Sequence, residues 1–144
     1  MILPPREDLH FLLFDWLQAE TIFKQNKFEH LDSESTMAMI DAALELAQDE
    51  FLSHAAKSDA NPPTFDNKQV SIIPEVANAL AAYREAGFFG MQAPIEEGGL
   101  GLPYTLVAAI SGIFSCANVE TNGYAFLTKA AANLIREIGN EDKK

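Results

Sequence analysis

Cysteine is nearly absent. Cys116 is the only one in 144 residues, which excludes an internal disulfide and a cysteine-rich metal site and makes a reducing cytoplasm the expected setting. Cations are scarce too. Ten lysines and arginines stand against 21 acids, a formal charge of −11, which repels nucleic-acid phosphates and anionic membrane surfaces alike. Neither is an expected partner. Long apolar runs are missing: Phe11 to Leu17 is interrupted by Asp15 and is far too short to span a bilayer. The opening residues Arg6, Glu7 and Asp8 place acid where a secretory signal needs base, so neither a leader nor an anchor is expected.

What remains reads as one globular domain. The hydrophobic fraction is 48%, and ten residues are phenylalanine, enough for a core that removes about 70% of the unfolded surface from water. Pro4 and Pro5 suit a first helical turn, and Leu9, Leu12, Leu13, Trp16 and Leu17 then recur at three-and-four spacing, predicting a helix over 5–19. Phe11 and Phe14 lie off that stripe and call for a second covering surface. Residues 20–32 are polar and mixed. Asp32 or Ser33 caps a second helix carrying Met37, Ile40, Leu44, Ala47 and Phe51 to about residue 57, with Asp41, Glu45 and Gln48 on its wet side.

The prolines at 62 and 63 predict a long loop over 58–74, with a short β-rich run from Val70 to Ile73. Pro74 opens a third helix with Val76, Leu80 and Tyr83 inward, and Gly87 ends it. An extended stretch is expected from Phe88 to Pro94, then a turn-rich loop through Gly98, Gly99 and Gly101. Pro103 restarts a helix with Leu106, Ile110, Ile113, Phe114 and Ala117 inward. In the last one, Tyr124, Leu127, Ala131, Leu134 and Ile138 share a face taken as inward. The sum is an all-α bundle of five to six helices. Asn140 to Lys144 reads as the start of a further helix cut short, so the chain is expected to stop partway through a longer protein.

Few residues carry chemistry of their own. Glu7 and His10 form only half of a di-iron carboxylate motif; Glu50 and His54 are four apart rather than three, and His30 falls in a loop, so solvated histidines are expected rather than metal ligands. The glycine-rich loop is flanked by Glu96 and Glu97, which repel phosphate, and reads as a structural turn. Cys116 lacks a neighbouring base and reads as a small buried hydrophobe. Three alanines at 130–132 either admit a close neighbouring helix, the favoured reading, or leave room for an apolar ligand. Phe126 and Ala130 share a face distinct from the Leu127/Leu134 stripe, and that face needs a ligand, a partner domain or solvent.

Gly87, Gly90, Pro94 and then Gly98, Gly99 and Gly101 form a G-x-x-G-x-x-x-P and G-G-x-G pattern that resembles the acyl-CoA dehydrogenase N-terminal domain. Pro4 to Leu13, Ser115 to Asn118, Tyr124 with Leu127 and Thr128, and Gly139 to Lys143 are similar to the subgroup acting on 3-methylmercaptopropionyl-CoA. The resemblance implies that 1–144 is the helical N-terminal domain of an FAD-dependent oxidoreductase of fatty acid metabolism, with the middle β and C-terminal helical domains absent. It implies acyl-CoA as substrate, electron-transfer flavoprotein as reoxidant and a homo-oligomeric full-length enzyme. The catalytic glutamate and most FAD contacts would lie on the absent domains, as would the cations for the coenzyme A phosphates, which this chain nowhere clusters. By position, Asn122, Gly123, Phe126 and Ala130, with Leu127 nearby, would wall the acyl pocket. Departures from the pattern are Glu97 for an aromatic, Gly112 for an acid and Lys129 for a histidine. The alternative is a stand-alone interaction or dimerisation module using Phe11, Phe14, Phe88, Phe89 and Phe126.

Overall fold

The structure, a computed structural model, describes residues 3–140; the cut-short helix expected from 140 onward lies outside these, apart from Asn140 itself. Helix α1 (Arg6–His10) follows Pro5 and passes into a wide π-type turn, Phe11–Trp16. There Leu17 N–H donates to Leu12 O, a bond to the fifth residue back. That wider turn rotates the expected stripe away from the core: Leu9 and Leu13 are buried, but Leu12, Trp16 and Leu17 are exposed together with Phe11. Gln18 ends the segment in the left-handed region (φ 50°), where Ala19 N–H closes back onto Leu13 O at 2.9 Å. The polar stretch that follows contains a short helix, α2 (Glu20–Phe23), pinned by buried Phe23.

Asp32 caps α3 (Ser33–Leu46): its Oδ1 accepts from Ser35 N–H at 2.7 Å and Ser35 Oγ accepts from Asp32 N–H at 3.1 Å. The bonds from Ser35 hold the Asp32 carboxyl below its ordinary range. Of the expected stripe Met37, Ile40, Ala47 and Phe51 are buried, whereas Leu44 is only half-buried and the unexpected Ala43 is buried in its place. The helix continues through 47–54 with altered winding and resumes as α4 (Ala55–Ala60), beyond its expected end. The expected loop after it holds a hairpin of β1 (Thr64–Asp66) and β2 (Gln69–Ser71), with Thr64 opposite Ser71. Its turn puts Asn67 and Lys68 both at positive φ, the signature of a two-residue hairpin loop in which a lysine stands where glycine is usual.

Helix α5 (Pro74–Glu85) buries Val76, Ala79 and Tyr83, leaves Leu80 half-buried, and stops at Gly87 (φ 80°). Phe88 to Pro94 is not extended; it coils through a tight turn at Phe88–Gly90 because Phe88 must reach the core, 5.3 Å from the Phe114 ring centroid. The glycine loop folds back onto it, with Gly101 N–H on Ala93 O and Leu102 N–H on Met91 O. Gly99 must be glycine here, since a Cβ would overlap the Ala93 carbonyl. The rings of Phe51, Tyr83, Phe88 and Phe114 pack together at the centre, with Phe114 centroids 4.8 Å from both Phe51 and Tyr83.

The final element, α6 (Tyr104–Ile138), is two arms, 104–117 and 119–138, broken at Asn118 (φ −160°, ψ 95°). Lys129 Nζ lies 3.5 Å from Ser111 Oγ. A straight helix would hold residues eighteen apart about 27 Å from each other, so the arms fold back on one another. Asn118 makes the reversal possible. Its Oδ1 accepts from Thr121 N–H at 3.0 Å, capping the second arm, while its Nδ2 donates to Phe51 O and Ser58 Oγ. The architecture is the expected all-α bundle, and no helix among the described residues is long and apolar enough to cross a membrane.

Candidate functional site

The first arm of α6 packs as expected, with Leu106, Ile110, Ile113, Phe114 and Ala117 buried. The second arm is reversed relative to expectation. Leu127, Leu134 and Ile138 are exposed, as are Ala131 and its alanine neighbours, and Tyr124 is only half-buried. Among the described residues no helix covers the three alanines, which are all exposed. The inward positions are instead Thr121, Asn122, Ala125 and Lys129, themselves at helical spacing.

This polar face is held by hydrogen bonds rather than apolar contact. Thr121 Oγ1 is 2.9 Å from His54 Nε2, Asn122 Nδ2 donates to Ser115 Oγ at 2.9 Å, and Lys129 Nζ donates to Tyr83 Oη at 2.7 Å. Further along, Asn133 Nδ2 donates to Gln92 Oε1 at 2.6 Å and Arg136 Nη2 to Asn133 Oδ1 at 2.8 Å. His54 is therefore a buried structural residue and not a solvated one. His10 is exposed beside Asp15, and His30 meets Leu100 O at 3.2 Å. Cys116 is exposed rather than buried. No group of metal-ligating side chains occurs among the described residues.

A groove of about 270 Å³ runs between the two arms. Val107, Ala108, Phe126 and Ala130 give its apolar wall; Ser111 and Lys129 are polar, and Gln92, Tyr104 and Asn133 complete the lining. Burial lowers the Lys129 ammonium from 10.5 to about 8 and pushes the Tyr83 hydroxyl well above its ordinary value. The Lys129 nitrogen is also 5.2 Å from the Tyr83 ring centroid. With the hydroxyl at 2.7 Å it lies near the line of the C–O bond, so the contact is with the oxygen and not the ring face.

Of the residues expected to wall an acyl pocket, only Phe126 and Ala130 reach this groove. Asn122 is turned into the fold, with its Oδ1 buried and unpartnered among the described residues, and Gly123 is half-buried beside it. Leu127 points outward. Sequence reasoning missed Lys129 and Ser111 as lining residues; the signal was the polar stripe Thr121, Asn122, Lys129, Asn133, Arg136. Of the five phenylalanines offered for a docking patch, Phe88 is buried, Phe14 and Phe89 are half-buried, and Phe11 and Phe126 are exposed.

The turn before α6 carries Glu96 and Glu97, which repel the pyrophosphate of a flavin cofactor. Over residues 33–144 the chain matches the family model described as acyl-CoA dehydrogenase, N-terminal domain. No curated protein matches it.

Proposed function

The chain belongs to the acyl-CoA dehydrogenase family, and from that premise we propose that it supplies one wall of the acyl pocket of an FAD-dependent enzyme that α,β-dehydrogenates an acyl-CoA thioester. The observation that carries this reading is the reversed second arm of α6: a helix that turns hydrogen-bonding groups inward and Leu127, Leu134, Ile135 and Ile138 outward is built to be covered from outside. Phe126 and Ala130 border the acyl group, with Asn122, Gly123 and Leu127 beside them on the same arm. The glutamate that takes the α-proton, the flavin that takes the β-hydride and the cations for the coenzyme A phosphates are placed on polypeptide beyond the described residues. Kinship with the subgroup acting on 3-methylmercaptopropionyl-CoA, reoxidation by electron-transfer flavoprotein, a homo-oligomeric enzyme and a cytoplasmic setting belong to the same proposal.

The test is to produce the chain together with the middle and C-terminal domains of a family member and to follow flavin absorbance and acyl-CoA-dependent dye reduction. The expected product is yellow and active. Ala130→Trp should then raise KM about tenfold or more by filling the pocket while leaving flavin absorbance unchanged. A colourless, inert product made of folded domains would overturn the proposal. A stand-alone interaction module is the second reading, favoured by the exposed Phe11, Leu12, Trp16 and Leu17 on the first helical segment. A chain that sediments as a dimer and stays inert with those domains would support it.

A further inference from the structure

The groove between the α6 arms contains a cation with no counter-ion. Lys129 is 8% exposed, and its Nζ donates only to the neutral oxygens of Tyr83 and Ser111. No carboxylate among the described residues pairs with it. In a chain with 21 acids, none lines this groove. An ammonium has three hydrogens to donate, so one remains for a ligand. The apolar wall of Val107, Ala108, Phe126 and Ala130 leads to this single charge. A ligand that matched both features would have an aliphatic stem and an acidic end.

We propose that the groove takes an acyl group whose far end carries a carboxylate, with the Lys129 ammonium as its counter-ion and the Ser111 hydroxyl as a second donor. The inference rests on the reading of Phe126 and Ala130 as an acyl wall and names the substrate class of that same site. A small ligand is favoured over an acidic protein segment by access: the cation is reached through a groove of about 270 Å³, room for an acyl chain but not for a polypeptide backbone with its side chains. Burial makes the pairing selective, because a carboxylate restores the solvation that the ammonium has lost, whereas a methyl terminus leaves it unpaired.

The test compares S-glutaryl- and S-pentanoyl-N-acetylcysteamine, two thioesters of equal chain length, titrated into the 144-residue chain and followed by amide chemical shifts. The glutaryl probe should bind about tenfold or more tightly, with the largest shifts around Lys129 and Ser111. Lys129→Met combined with Tyr83→Phe, which leaves no stranded hydroxyl, should erase that preference. Equal or tighter binding of the pentanoyl probe to the unsubstituted chain would overturn this inference and leave the acyl wall standing. Binding of neither probe would overturn both.

Discussion

Replacing Lys129 by methionine and Tyr83 by phenylalanine together should raise the stability of the chain at pH 7 by up to about 3 kcal/mol. Lys129 is buried among neutral groups, and its ammonium falls from 10.5 to about 8 on folding. Below pH 8 the folded chain therefore carries a desolvated charge that the unfolded chain keeps in water. Between about 8 and 10.5 the unfolded state holds the extra proton, so stability of the unsubstituted chain rises with pH across that window. The buried Tyr83 hydroxyl works in the opposite sense. Its raised value means the folded state keeps a proton that the unfolded state sheds above 10, so the rise turns down there. Both residues are changed because Lys129→Met alone would leave the Tyr83 hydroxyl buried without a partner. Urea unfolding at pH 7, 9 and 10 checks this: the advantage of the double variant should be largest at pH 7 and shrink towards 10. An advantage that does not change with pH would reject the buried-charge account.

Two substitutions two positions apart on the second arm should have opposite outcomes. Ala125 is fully buried and Leu127 is 68% exposed. Ala125→Asp puts an unpaired carboxylate into the buried core and should cost more than about 4 kcal/mol, enough to unfold a marginal domain. Leu127→Asp should change stability by less than about 0.5 kcal/mol while preventing the arm from being covered by apolar polypeptide. Circular dichroism melts of the two variants separate these cases directly. A reading in which Tyr124, Leu127 and Leu134 faced the core would predict the reverse.

Much of the fold was legible because its helices carry clear signals. The Met37, Ile40, Ala47, Phe51 period, the Asp32 cap and the Gly87 stop all fall where spacing and turn chemistry placed them. The failures share a physical cause: apolar periodicity reports which residues want to leave water, not which element of the same chain will cover them. For the second arm of α6 the apolar stripe was read correctly and assigned to the wrong side, since the inward face is held by hydrogen bonds that Asn122 and Lys129 donate to Ser115, Tyr83 and Ser111 and by the contact of Thr121 with His54. Leu12, Trp16 and Leu17 failed differently, because a bond to the fifth residue back changed the period within the helix itself. The hairpin was hidden by a turn of Asn67 and Lys68, without the glycine that marks such turns. Two of the five expected site residues, Phe126 and Ala130, line the groove; Lys129 was missed as a lining residue because only the reversal at Asn118 brings it to Ser111.

Thiol labelling tests the outward face of this arm most directly. In a Cys116→Ser background, cysteines placed one at a time at Leu127, Leu134 and Ile138 should react with a water-soluble maleimide at nearly the rate of the unfolded chain, while cysteines at Ala117 and Ala125 should be protected by folding. Slow labelling at 127, 134 and 138 with fast labelling at 125 would show that the apolar stripe faces the core, and the wall would not exist.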